Sequence, residues 1–130
     1  MNTKILMSLS SIFMFASGIA FTFFPQEFLE TFKQHASPIL HLILQLIGAL
    51  YLGFGMLNWM AKNNLLGGIY SRPIAIANFM HFLVAGLALV KAAPGLEIPP
   101  IWGLTVIYGG FAIAFGLVVF TNPAAVKTTV

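Results

Sequence analysis

Four long apolar runs constrain this chain of 130 residues more than any other feature. No Asp, Glu, Lys or Arg lies inside any of them. The runs are Ile5–Phe24, Ile39–Ala61, Pro73–Val90 and Ile101–Thr121. Because a helix rises about 1.5 Å per residue, roughly 20 residues cross a hydrocarbon core about 30 Å thick. The sequence therefore predicts four transmembrane helices.

The composition agrees with a protein that lies almost wholly in a membrane. Hydrophobic residues make up 59% of the chain and charged residues 7%, whereas soluble domains carry about 25% charged residues. Lipid or other protein must therefore surround most of its surface. The net charge of +3 comes from scattered single residues, which argues against nucleic-acid binding. The absence of cysteine excludes disulfides, thiolate metal sites and iron–sulfur clusters.

Short connections between the runs predict an all-α, up-down-up-down four-helix transmembrane bundle, with residues 1–130 as a single domain. The first run has some features of a secretory signal peptide, because Lys4 precedes an apolar stretch that contains small residues. It continues to full spanning length at Phe24, so we expect a retained first span.

Basic residues are shared unevenly between the two sides of the predicted bundle. The side with both termini and the middle loop carries Lys4, Lys62, Arg72 and Lys127, and the other side carries Lys33 and Lys91. Short cytoplasmic loops are enriched in Lys and Arg. This rule predicts both termini in the cytoplasm, and we expect the membrane to be the inner membrane of a bacterium.

Two loops have more structure than a plain connection. Pro25 ends the first span, and Gln26–His35 places Phe28, Leu29 and Phe32 on one face. This pattern predicts a short helix in the outer interface, either an amphipathic linker or a lipid sensor or lid. The middle loop has an apolar segment, Leu65–Tyr70, which we expect against the inner headgroups or the bundle.

The few polar residues inside the spans concentrate in spans two and three. In lipid, such side chains usually face another helix or a cavity. Helix geometry places Asn58 level with Asn78, and it places Gln45 and His81 within reach of one another. The sequence therefore predicts a polar layer between spans two and three. Lys62 and Arg72 would lie at its cytoplasmic mouth.

This polar layer has two interpretations. The first is packing, in which hydrogen bonds across helices fix their register at about 0.6 kcal/mol each. The second is a pocket for a lipid, a quinone-type molecule or another small hydrophobic ligand, where the two cations could bind a phosphate. The candidate ligand-binding residues are Gln45, Asn58, Lys62, Arg72, Asn78 and His81.

Small residues form two candidate packing seams. Close approach of transmembrane helices requires Gly, Ala, Ser or Thr at the contact. Span two offers Gly48 and Gly55, and span four offers a set that repeats every 3.5 residues. That set is Thr105, Gly109, Ala112 and Gly116.

No cofactor or metal is predicted. Haem ligation by His41 and His81 is disfavoured because the two residues differ in depth by about 10 Å. No span contains a carboxylate or a closely spaced histidine pair that would bind a metal. The cysteine motif of the quinone-reducing four-helix oxidoreductases and the Arg- and Glu-rich helices of the trimeric eicosanoid and glutathione enzymes are also absent from the sequence. Most familiar four-span enzymes are therefore disfavoured.

Two segments carry a resemblance to a known group of proteins. They are the end of span one, Gly18-x-x-x-x-Phe-Phe-Pro-x-x-Phe-Leu29, and the second span's Tyr51-Leu-Gly-Phe-Gly-Met-Leu-Asn-Trp-Met60. The chain resembles small bacterial four-span membrane proteins that are loosely DoxX-like. The resemblance implies a four-helix bundle and transfers no functional residues.

The leading expectation is a small integral membrane protein that acts by helix–helix association. It would be an accessory or scaffold subunit, or a homo-oligomer, because almost none of its mass lies outside the bilayer. The alternative is a lipid- or small-molecule-binding protein, either a transporter or a membrane enzyme, that uses the pocket between spans two and three.

Overall fold

A computed structural model describes residues 2–64 and 71–121. These residues form helices joined by short connections and contain no strand. The helices are α1 (Thr3–Phe23), α2 (Pro25–Thr31), α3 (Pro38–Ala61), α4 (Arg72–Ala92) and α5 (Pro100–Thr121), and a 3₁₀ turn (Ala93–Gly95) follows α4. The predicted apolar loop segment Leu65–Tyr70 and the predicted cytoplasmic Lys127 lie outside the described residues.

Within the described part of the chain, four helices are long and apolar enough to cross a membrane. They are α1, α3, α4 with its 3₁₀ turn, and α5. The predicted all-α fold, with four spans and a short helix after the first, is confirmed, and each span agrees with its predicted boundaries to within a few residues. Four such helices are what a multi-pass membrane protein contains.

The chain divides into two compact units, residues 2–63 and 64–130. The first contains α1, α2 and α3. The second contains α4, the 3₁₀ turn and α5. That residues 1–130 form a single domain stays a prediction.

Each unit is built on two antiparallel long helices. In the first unit, Gly18 of α1 lies against Gly48 of α3, and Ser11 hydrogen-bonds to Gly55. Sequence numbers therefore rise along one helix as they fall along the other. The second unit shows the same relation, since Phe79 of α4 lies against Gly116 of α5, whereas Gly86 lies against Tyr108. Short connections produce this arrangement.

Proline marks the start of every helix after the first. Pro25, Pro38, Pro73 and Pro100 lie at the first or second position of α2, α3, α4 and α5. Proline suits this place because the first helical N–H groups have no partner within the helix, and its fixed φ is already helical. Ser37 adds a side-chain cap to α3, since its Oγ accepts the N–H of Leu40 at 3.3 Å.

Helix α2 ends at Thr31, four residues before the predicted end at His35. Lys33 has φ 54°, in the left-handed region. The N–H of Lys33 donates to the carbonyl of Glu30 at 3.0 Å, and the N–H of Gln34 donates to that of Leu29 at 2.9 Å. This pair of bonds is a Schellman motif, which closes a helix. Glycine usually occupies the left-handed position, so a lysine there gave no signal in the sequence.

Candidate functional site

Glycines bring α1 and α3 into backbone contact. A β-carbon placed on Gly48 would meet the Thr22 side chain, the Thr22 backbone nitrogen at 2.9 Å and the Gly18 carbonyl oxygen at 3.0 Å. A β-carbon on Gly18 would meet the backbone nitrogen of Leu52 at 2.9 Å. Gly55 lies against Phe15, whose ring would be 3.1 Å from such a carbon. The predicted span-two seam of Gly48 and Gly55 thus lies against α1.

A buried chain of hydrogen bonds crosses the same contact. Asn58 Nδ2 donates to Ser10 Oγ at 3.1 Å, and Ser10 Oγ donates to the carbonyl of Met7 at 3.1 Å. Ser11 Oγ donates to the carbonyl of Gly55 at 2.7 Å. Asn58, Ser10 and Ser11 are each 0% exposed. Because the Asn58–Ser10 and Ser11–Gly55 bonds join one helix to the other, Asn58 contributes to the packing of α1 on α3.

The polar residues predicted for span three lie on α4, in the second unit. Asn78 is buried, and its Nδ2 donates to the carbonyl of Ile74 at 2.9 Å. The ring of His81 lies 5.1 Å from that of Phe82 and 5.9 Å from that of Tyr108, centroid to centroid. His81 is therefore set among aromatic rings at the α4–α5 contact.

The two cations of the predicted mouth differ in environment. Lys62, just after α3, is half-buried, and its Nζ lies 2.9 Å from the centroid of the Trp59 ring, a cation–π contact. Arg72 is the first residue of α4, is exposed, and makes no ion pair with any described residue. Lys62 belongs to the first unit and Arg72 to the second.

The polar layer and its pocket stay a prediction. Gln45, Asn58 and Lys62 lie in the first unit, whereas Asn78 and His81 lie in the second. The contacts described above join residues within one unit.

One face of α3 is left uncovered by α1. Gln45, Ala49 and Gly53 are exposed at successive helical turns, and we name them the Gln45 face. Gln45 makes no hydrogen bond to any described residue. A β-carbon on Gly53 would meet nothing within 4 Å. An amide with no partner among the described residues thus lies beside two small residues on a helix long and apolar enough to cross a membrane.

The residues of the predicted span-four seam have unlike surroundings. Thr105 Oγ1 donates to the carbonyl of Ile101 in its own helix at 2.8 Å. Ala112 is buried, whereas a β-carbon on Gly109 would meet nothing within 4 Å. A β-carbon on Gly116 would lie 3.1 Å from the ring of Phe79 on α4. Gly116 therefore makes room for an aromatic ring of α4.

A groove of about 290 Å³ lies at this contact between α4 and α5, and we name it the α4–α5 groove. All of its lining residues are apolar. They are Phe79 and Leu83 of α4 with Ala112, Ile113, Gly116, Leu117 and Phe120 of α5. Sequence reasoning identified Ala112 and Gly116 as small residues but missed the groove, because apolar side chains at a groove and at a lipid-facing surface look the same in a sequence.

Comparison with protein-family models, with curated proteins and with solved structures finds no match. The resemblance to DoxX-like proteins therefore stays a prediction. Among the described residues, no group of three or more His, Cys, Asp or Glu side chains is placed to hold a metal ion.

Proposed function

We propose that this chain is a small multi-pass protein of a bacterial inner membrane that acts by helix–helix association, as a homo-oligomer or as an accessory subunit of a larger complex. The observation that carries the proposal is Gln45, exposed on α3 without a hydrogen bond to any described residue. In hydrocarbon, an amide side chain is stabilised by a hydrogen bond to another helix.

The neighbours of Gln45 support a close contact at this face. Ala49 and Gly53 follow Gln45 at intervals of four residues, and both are exposed. Small residues at this spacing let two helix backbones approach. The other glycine pair of α3, Gly48 and Gly55, already lies against α1 and cannot serve a partner.

A second copy of the chain is a suitable partner for this face. The glutamine side chain has both a donor and an acceptor, so two Gln45 amides related by a two-fold axis satisfy one another. A different membrane protein with a polar side chain at the same depth would satisfy Gln45 equally well. The proposal therefore includes a homo-oligomer and an accessory subunit.

The proposed orientation, with both termini in the cytoplasm, rests on the distribution of cations. At the side of the termini and the middle loop, Lys4 lies in the first turn of α1, Lys62 just after α3 and Arg72 at the start of α4. Basic residues near span ends favour the cytoplasmic side. The proteins that the chain resembles are bacterial, which is the ground for proposing a bacterial membrane.

The test measures association of the full-length chain in lipid. Energy transfer between labelled copies, diluted stepwise with lipid, gives a dissociation constant. We expect Gln45→Leu to raise this constant about tenfold, since a glutamine hydrogen bond between model transmembrane helices is worth about 1–2 kcal/mol. Gly53→Leu should raise it further because a bulky side chain separates the helices.

Gly103→Leu is the matched control, because Gly103 is an exposed glycine on α5 with nothing within 4 Å of a β-carbon. A native mass spectrum of protein extracted gently from its own membranes identifies a heterologous partner, and Gln45→Leu should then lose that partner. A wild-type chain that stays monomeric and carries no other polypeptide would overturn the proposal. So would association that Gln45→Leu leaves unchanged.

A further inference from the structure

The α4–α5 groove runs along the helices of the second unit. Phe79 and Leu83 form its α4 side, and Phe120 of α5 lies with its ring 5.7 Å from that of Phe79, edge to face. Ala112 lies eight residues before Phe120, so the groove extends about 12 Å along the helix axes. Its length and apolar lining fit a narrow hydrocarbon chain.

Arg72 lies on the same face of α4 as the groove. Phe79 and Leu83 follow Arg72 by seven and eleven residues, which are close to two and three full turns, so all three lie within about 20° of Arg72's direction. Along the axis, Phe79 is about 10 Å and Leu83 about 16 Å from Arg72. The cation therefore lies at the membrane-surface end of a line that continues into the groove.

The charge of Arg72 is not compensated by any described residue. Its side chain is exposed and forms no ion pair with one. No side chain caps the first turn of α4, so the positive end of the helix dipole adds to the charge of the guanidinium. An exposed guanidinium without an ion pair can bind a phosphate through two parallel N–H groups.

We propose that the second unit binds an anionic phospholipid, with its phosphate on Arg72 and one acyl chain in the α4–α5 groove. A phospholipid joins these two chemistries at the required distance, because its phosphate lies at the membrane surface and its chains extend inward. Ile113, Leu117 and Phe120 on the outer rim are exposed, so a chain enters sideways from the bilayer. This site lies outside the Gln45 face and is independent of the proposed association.

The first experiment tests the charge. The full-length protein in detergent is titrated with dioleoyl phosphatidylglycerol or dioleoyl phosphatidylcholine, and bound lipid is counted by native mass spectrometry. We expect phosphatidylglycerol to bind more tightly than phosphatidylcholine. Arg72→Gln should weaken the binding of phosphatidylglycerol about fivefold, which is the effect of one cation on an anionic lipid. Arg72→Lys should retain most of the preference.

Lys91→Gln is the matched control for charge, because Lys91 is an exposed cation at the other end of α4. It should leave the preference for phosphatidylglycerol unchanged. Inorganic phosphate at equal concentration should not displace the lipid, because it has no chain for the groove.

The second experiment tests the groove. In Gly116→Ala, the added methyl group lies 3.1 Å from the Phe79 ring, closer than an ordinary contact, and both residues line the groove. Both lipids should then bind more weakly, by the same factor. Gly110→Ala on the same helix, where a β-carbon meets nothing within 4 Å, is the control.

A measurement on the wild-type protein keeps the proposal open to refutation if a variant does not fold. Dihexanoyl phosphatidylglycerol has the same headgroup, but its chains are too short to occupy the groove, so it should bind more weakly than the dioleoyl lipid. Equal binding of the two would overturn the groove. Full displacement by inorganic phosphate would likewise overturn the groove, because it would show that the acyl chain adds nothing to binding. An undiminished preference for phosphatidylglycerol in Arg72→Gln would overturn the headgroup site.

Discussion

The two helix pairs of this chain are held together by different chemistry. Between α1 and α3, glycine backbones meet, and serine and asparagine side chains bond across the contact. Between α4 and α5, aromatic rings fill the contact around Phe82, which is 0% exposed. Its ring centroid lies 4.7 Å from that of Phe111 and 5.8 Å from that of Phe115, in stacked orientations.

The difference is also one of spacing. A β-carbon on Gly48 would lie 2.9 Å from the backbone nitrogen of Thr22, whereas one on Gly86 would lie 3.6 Å from the β-carbon of Tyr108, an ordinary contact. In lipid, apolar side chains gain little by leaving their solvent, so helices associate through packing and hydrogen bonds. The first pair uses both, whereas the rings of the second pair pack closely around Phe82 and leave the α4–α5 groove beside it.

The largest expected effect comes from removing the central ring of the second pair. We expect Phe82→Ala to lower the free energy of unfolding by about 3 kcal/mol, the low end for such truncations, since lipid already solvates the ring when the helices separate. Amide hydrogen exchange should rise in α4 and α5. Leu87→Ala is the control, because Leu87 is an exposed residue of the same helix. An equal loss of stability in both variants would contradict a ring-packed second pair.

Disrupting the contact of the first pair should lower the free energy of unfolding somewhat less. Gly48→Ala forces the backbones of α1 and α3 apart, and overpacking of this kind costs about 2 kcal/mol. The increase in hydrogen exchange should now fall in α1 and α3. Gly86→Ala makes the same substitution in the second pair and should change stability by less than about 0.5 kcal/mol. If the two variants behaved alike, the contrast in spacing would be wrong.

The smallest expected effect is a coupling between two side chains. A double-mutant cycle on Ser10→Ala and Asn58→Leu should give a coupling free energy of about 0.6 kcal/mol, measured by reversible unfolding in detergent. The same cycle with Ser17→Ala should give none, because Ser17 has no hydrogen bond to Asn58. A coupling of zero for the Ser10 pair would show that the first pair depends on glycine contacts alone.

Most of the fold could be predicted because length and hydropathy alone define membrane spans. The starts of the helices can also be predicted from the sequence, since Pro25, Pro38, Pro73 and Pro100 lie at or next to the start of a helix. The end of α2 cannot be predicted in this way, because the residue with left-handed backbone is Lys33 rather than a glycine. The sequence therefore defined where helices begin better than how the short one ends.

The directions of the helix faces were harder to predict. The polar residues of span two predict a layer shared with span three, which stays a prediction. The structure adds a bond that this interpretation does not include, from Asn58 to Ser10 of span one. In water, an apolar stripe would identify the buried face, but in lipid both faces are apolar and this signal is lost. The α4–α5 groove cannot be predicted from the sequence for the same reason. Only small or polar residues such as Gly48 and Gln45 carry information about partners.

The prolines at the helix starts also bear on how the chain fits bilayers of different thickness. A helix that begins at a proline does not lengthen easily toward its N-terminus, since residues before proline disfavour the helical conformation. Helix α3 contains 24 residues and so measures about 36 Å, longer than a hydrocarbon core of about 30 Å. With its start fixed at Pro38, α3 adapts to a thinner membrane by tilting. Bilayer thickness would then set the angle at which the Gln45 face is presented.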